Sequence, residues 1–129
     1  MADWEDVRRL ALGLPETTER GSRDDHPQWR VRDKLFVWDR PLRRGDLEAL
    51  GDAAPGGPIV AARIADEGVK DALIAEDPDV YFTIPHFDGY LAILAQLDRI
   101  GVTDLEELIV EAWLLRAPKR VASTYLASH

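Results

Sequence analysis

The sequence predicts an α+β fold, a two-layer domain with helices packed on one face of an antiparallel sheet. Three observations predict it. Apolar or alternating runs of strand length fall at 29–38, 59–64, 80–84 and 91–97. Helical periodicity marks 3–12, 66–75 and 104–116. Successive strand candidates are joined by short connections, which favour antiparallel neighbours. The 129 residues fit one domain spanning 1–129, long enough to bury a real core.

The elements follow in order. Asp3 can cap a first helix whose Trp4, Val7 and Leu10 share a face, and Gly13 and Pro15 end it. An edge strand is expected from about Thr17 to Arg23, within a very polar stretch. "QWRVRDKLFVW" (28–38) reads as a hairpin turning at Arg32–Asp33. In that register Val31 faces Lys34 and Trp29 faces Phe36. Trp29, Val31, Phe36 and Trp38 then share one face, with Arg30, Leu35 and Val37 on the other.

Residues 40–58 combine Pro, Gly and charge, and predict a long mobile loop with one helical turn around 46–50. "IVAARI" (59–64) is a strand, and Asp66 caps a helix that Pro78 prevents from continuing. "VYFTI" (80–84) and "LAILAQL" (91–97) are further strands, the second apolar on both faces and therefore central. Thr103 and Glu106 suggest a capping box for a helix over 104–116. Its buried stripe is Leu105, Leu108, Ile109, Ala112 and Trp113. Pro118 ends or kinks it, and 119–126 add a final helical turn or two.

Composition narrows the function classes. The formal net charge of −8 disfavours broad, charge-driven nucleic-acid binding. Within 28–45, however, Arg30, Arg32, Lys34, Arg40, Arg43 and Arg44 face only Asp33 and Asp39. Such a patch can act locally, because charges are screened beyond about 8 Å at physiological salt. Cysteine is absent, which removes disulfides, thiolate zinc sites and thiol catalysis. The polar N-terminus and the lack of a long apolar run suggest a chain with no membrane partner, in a reducing cytoplasm.

Four segments carry a resemblance: "LPETTE" (14–19), "WRVRDKLFVW" (29–38), "DPDVYFTIPHFDGYLAILAQLDRI" (77–100) and "ELIVEAWLLRAPKR" (107–120). In their order and spacing the chain resembles the MmcQ/YjbR family over nearly its full length. The resemblance implies a CyaY-like two-layer fold, ordered helix, three or four strands, helix, two strands, helix. It also implies DNA as partner, bound through a double-wing arrangement of sheet elements. Arg30, Arg32, Lys34, Arg40, Arg43 and Arg44 would then contact phosphate, joined by Lys119 and Arg120. No catalytic residue or cofactor comes with the resemblance, so a non-enzymatic protein is expected.

"YFTIPHFDGY" (81–90) reads first as a hairpin, with Asp88–Gly89 as its turn and His86 near the tip. Its rival reading is a small-ligand or protein-interaction cleft at His86, Asp88 and Tyr90. A His–Asp pair can support general-base chemistry, but no nucleophile motif accompanies this one. His26, with Asp24 and Asp25, would make a metal site only if folding brought it to His86 and Asp88; no metal is expected. Glu16 and Glu19 read as a polar connection. Trp29, Phe36 and Trp38 read as core rather than as a base-stacking platform.

Overall fold

The structure is a computed structural model that describes residues 2–21 and 26–128. Asp24, Asp25 and the end of the expected edge strand lie outside the described residues. Helix α1 (Trp4–Leu12) leads into β1 (Thr17–Arg20), β2 (Gln28–Val31) and β3 (Lys34–Asp39). Then come α2 (Arg44–Leu50), β4 (Ile59–Arg63), α3 (Glu67–Glu76), β5 (Tyr81–Phe82) and β6 (Ala92–Gln96). Helices α4 (Val102–Arg116) and α5 (Lys119–Ser128) complete the fold. The sheet is antiparallel with strand order β1-β2-β3-β4-β6-β5, so β6 is flanked on both sides, as its continuous apolar run requires. The α+β class and the helix–strand order are those the sequence predicts.

Local chemistry explains most boundaries. Asp3 and Asp6 cap α1 reciprocally: each carboxylate accepts from the other residue's backbone N–H, at 3.0 and 3.1 Å. Arg32 and Asp33 turn the β2–β3 hairpin at φ of 49° and 70°, the left-handed pair that a two-residue turn demands. Val31 duly faces Lys34. Beyond it a bulge intervenes, so Arg30 faces Leu35 but Trp29 faces Val37, leaving Phe36 as the extra residue. The expected Trp29–Phe36 pairing is therefore wrong, and so are the faces. Phe36 and Val37 both join Trp29 and Val31, while Trp38 crosses to the other face with Leu35.

Helix α4 carries the predicted stripe of Leu105, Leu108, Ile109, Ala112 and Trp113, all buried. It starts earlier than expected, with Gly101 as N-cap and no side-chain cap. Thr103 thus lies inside the first turn, and the anticipated capping box does not form. The expected loop at 40–58 is also more structured, since α2 occupies Arg44–Leu50.

Alternation along the inner strands builds two separate cores. Val60, Ala62, Ile93 and Ala95 join the larger one under α1 and α4. Ile59, Ala61, Ala92 and Leu94 join a smaller one with Trp38, Ile84 and Phe87, which Leu42 and Leu50 cover from the α2 segment. The second face therefore has only a small lid.

Candidate binding cleft

On that second face two segments distant in sequence meet. One is the basic run Asp39–Arg43, leaving β3. The other is the connection between β5 and β6, built as a 3-10 turn over Pro85–Phe87. Phe87–Tyr90 follow as a type II turn, with Asp88 at φ −61°, ψ 124° and Gly89 at φ 76°. The Tyr90 N–H closes it on the Phe87 carbonyl at 2.9 Å. The expected turn pair is thus present, but within a long connection rather than a tight hairpin.

Between these segments lies an open cleft of about 770 Å³. Its apolar wall is Leu35, Trp38, Phe87 and Tyr90; its polar wall is His26, Gln28, Asp39, Arg40, Arg43 and His86. The aromatics support one another, Phe87 and Tyr90 edge to face at 5.2 Å between centroids and Trp38 against both at 6.4–6.5 Å. A smaller adjoining hollow shares Arg40, Arg43 and His86, so these three stand where the two spaces meet.

The charges in the cleft are unequally engaged. Arg40 is only 6% exposed and pairs with the equally buried Asp46 at 3.1 Å. It also donates to the Pro41 carbonyl and lies 5.6 Å from the Phe87 ring centre. Asp46 also accepts from the Arg43 backbone N–H at 2.9 Å. His26 Nδ1 lies 3.0 Å from Asp39 Oδ2. Among the described residues, the Arg43 and His86 side chains have no ion pair or hydrogen bond, although the His86 ring lies against Phe87. Both are exposed at the mouth.

A buried lysine fixes the turn from behind. Lys70 on α3 is 4% exposed, and its ammonium donates to the carbonyls of Phe87 at 3.1 Å and Tyr90 at 3.0 Å, with Glu67 at 3.4 Å. Arg63 packs over the Tyr90 ring, 4.8 Å from its centre.

The YjbR profile matches residues 12–115 of this architecture. The chain belongs to the YjbR family. It is 55% identical to Uncharacterized protein Rv2570 of Mycobacterium tuberculosis (strain ATCC 25618 / H37Rv), over 99% of this chain and 98% of that one. Uncharacterized protein Mb2600 of Mycobacterium bovis matches with the same figures. Among solved structures, the DUF419-domain protein DR2400 of Deinococcus radiodurans aligns over 93% of this chain and 82% of its own. The TM-score is 0.67 at 17% identity, a shared fold.

Within this YjbR fold the predicted site residues divide. Arg40, Arg43, His86 and Tyr90 come together in the cleft, whereas Asp88 does not line it. Arg30 is half-buried and donates to the Asp33 carbonyl and Gln28. Arg32 pairs with Glu16, and Arg44 with Glu48 at 3.4 Å. Lys34, Lys119 and Arg120 are exposed. Glu19, the other acid of "LPETTE", pairs with Arg8. Among the described residues no three histidines or carboxylates are placed to hold a metal ion. No helix among them is long and apolar enough to cross a membrane.

Sequence reasoning missed Gln28, Trp38 and Phe87 as cleft walls, the His26–Asp39 pair, and Lys70. Only Lys70 leaves a sequence signal. It sits three and four residues before Leu73 and Ile74, on the face of α3 that turns inward.

Proposed function

We propose that this YjbR protein is a non-enzymatic binding module that holds a small molecule in the cleft between Arg43, His86 and Tyr90. The observation that carries this reading is the convergence of two sequence-distant segments on one aromatic-walled cleft whose polar groups stand at its mouth. Its volume lies within the several-hundred Å³ usual for ligand sites. The described lining includes a His–Asp pair but no serine, threonine or cysteine for that pair to activate, so a hydrolase-type triad finds no support there. A broad compound screen by two-dimensional NMR tests it: ligands should perturb Tyr90 and His86, and His86→Ala should weaken them while the fold persists. If no compound perturbs the cleft, the reading fails.

DNA binding is the second reading, favoured by the exposed Lys34, Arg43, Lys119 and Arg120, which have no carboxylate partner among the described residues. Arg30, Arg32, Arg40 and Arg44 are engaged elsewhere, so at most a few phosphates would be neutralised. Each neutralised phosphate contributes roughly 0.9 to the logarithmic salt slope of a duplex-DNA affinity. A duplex titrated at low and at physiological salt should therefore show weak binding with a shallow slope. Absence of binding at low salt would end this reading.

A further inference from the structure

We infer that the cleft selects a flat aromatic ring carrying a single oxyanion group, with the ring against Tyr90, Phe87 and Trp38 and the oxyanion at Arg43. This inference rests on the cleft being a ligand site and specifies the chemistry that it takes.

The pairing of groups at the mouth points to a single anion. Among the described residues two carboxylates line the cleft or its adjoining hollow, and both are engaged: Asp39 by His26, and Asp46 by Arg40 and by the Arg43 backbone N–H. Asp88, the other acid of this turn, lines neither space. Arg40 is held on its own side by Asp46, the Pro41 carbonyl and the Phe87 ring. That leaves the Arg43 guanidinium as the one cation of this lining, among the described residues, that makes no ion pair, and it lines both hollows together with His86. A guanidinium presents paired donors that match a phosphate or a carboxylate. A lone one suits one such group. A polyanion would need several cations, and Arg40 cannot leave Asp46 without stranding a buried charge.

The other half of the ligand follows from the wall. Three aromatic rings in mutual edge and tilted contact form a fixed apolar wall, in which Trp38 and Phe87 are buried, Tyr90 is exposed and Arg63 lies over the Tyr90 ring. Tyr90, braced by the two buried rings, is the one that can offer a flat ring a stacking partner, whatever that ring's substituents. The cleft is open rather than sealed, so a ring of nucleobase or indole size can enter while its charged group stays hydrated at the mouth.

Isothermal titration with AMP, adenosine, ribose 5-phosphate and indole-3-acetate tests the assignment, with resonances of Tyr90 and His86 locating each ligand. AMP or indole-3-acetate should bind in the cleft; which of them does distinguishes a phosphate from a carboxylate as the natural group. Where phosphate is that group, adenosine and ribose 5-phosphate should each bind roughly tenfold or more weakly than AMP, the loss expected for a charge-assisted contact or a stacked ring. Arg43→Gln should weaken the preferred anion by roughly the same factor and leave adenosine unchanged. Because the Arg43 side chain is exposed and its backbone makes the capping contact, this variant should fold. Binding of AMP no tighter than adenosine while indole-3-acetate stays silent, or an Arg43→Gln variant that holds the preferred anion as tightly as the parent, would overturn the oxyanion assignment while leaving the cleft as a ligand site. So would silence from all four probes where other compounds still perturb the cleft. Silence from every compound in a broad screen removes both readings.

Discussion

The two faces of the sheet are made by the same strands and finished in different ways. Under α1 and α4, side chains such as Val7, Val60, Ile93, Ile109 and Trp113 close into a continuous apolar layer with no measurable exposure. On the opposite face the same strands contribute Ile59, Ala61, Ala92 and Leu94, a set no smaller than the Val60, Ala62, Ile93 and Ala95 of the first face. The cover there is a seven-residue helix and a turn. That turn and the loop before α2 are held by polar devices, the Arg40–Asp46 pair and the Lys70 ammonium on two carbonyls. Apolar burial is non-directional and fills space, so the layer under α1 and α4 is solidly packed, and the hollow on that side, about 180 Å³ between α3 and α4, lies at its margin. Hydrogen bonds and ion pairs fix position without filling volume, which lets the second face keep a defined opening.

The largest expected break in this contrast lies on the closed face. Trp113 is fully buried, donates to the Pro15 carbonyl at 3.1 Å and packs its ring 5.1 Å from that of Tyr125. Trp113→Ala should cost about 3–5 kcal/mol in urea melts, the range for removing a large buried aromatic. A loss under about 1 kcal/mol would mean this face is not the stability core.

Lys70→Met sharpens the comparison on the open face. It removes the donor to the Phe87 and Tyr90 carbonyls while keeping much of the buried aliphatic stem. Two carbonyls lose a charged partner, but the buried ammonium and its desolvation disappear with it. The net global loss should be about 1–2 kcal/mol. The local effect should be larger, with amides of 84–91 exchanging faster than those of β4 and β6. Uniform acceleration across the sheet would show that Lys70 supports the whole fold rather than the turn.

How far the sequence discloses each face follows from the range of the interactions. The α4 stripe and the Arg32–Asp33 turn are local patterns, settled by residues a few positions apart. The Phe36 bulge is not, because it depends on how β3 must twist to serve both faces, and that moved Trp38 into the cleft wall. The basic run read as one phosphate-binding surface because its partners were invisible. Glu16 reaches Arg32 and Asp46 reaches Arg40 only after folding. Likewise His26 and Asp39 lie thirteen positions apart and meet across strand ends. The sequence disclosed Arg40, Arg43, His86 and Tyr90 as candidates for two rival sites; that they line a single cleft is a consequence of topology.

The smallest effect concerns the seal at the edge of the closed face. Glu19 on edge strand β1 accepts from Arg8 of α1 at 2.8 Å and from the Trp29 indole N–H at 3.0 Å. Hydrogen bonding and attraction from Arg8, with the indole contact, hold its carboxyl below the ordinary value of 4.5 despite partial burial. A carboxyl whose pKa is lower in the folded chain binds protons less readily there than when unfolded. Its contribution is therefore complete at neutral pH, begins to fade as pH falls through about 4.5, and is gone once pH drops below the folded value. Arg8 is 43% exposed and Glu19 28%, so solvent screens the pair and Glu19→Gln should cost only about 0.5–1 kcal/mol at pH 7. Urea melts of parent and variant from pH 7 downward should converge at acid pH. If instead the gap stays constant with pH, the loss comes from packing against Trp29, and the closed face owes nothing at this edge to charge.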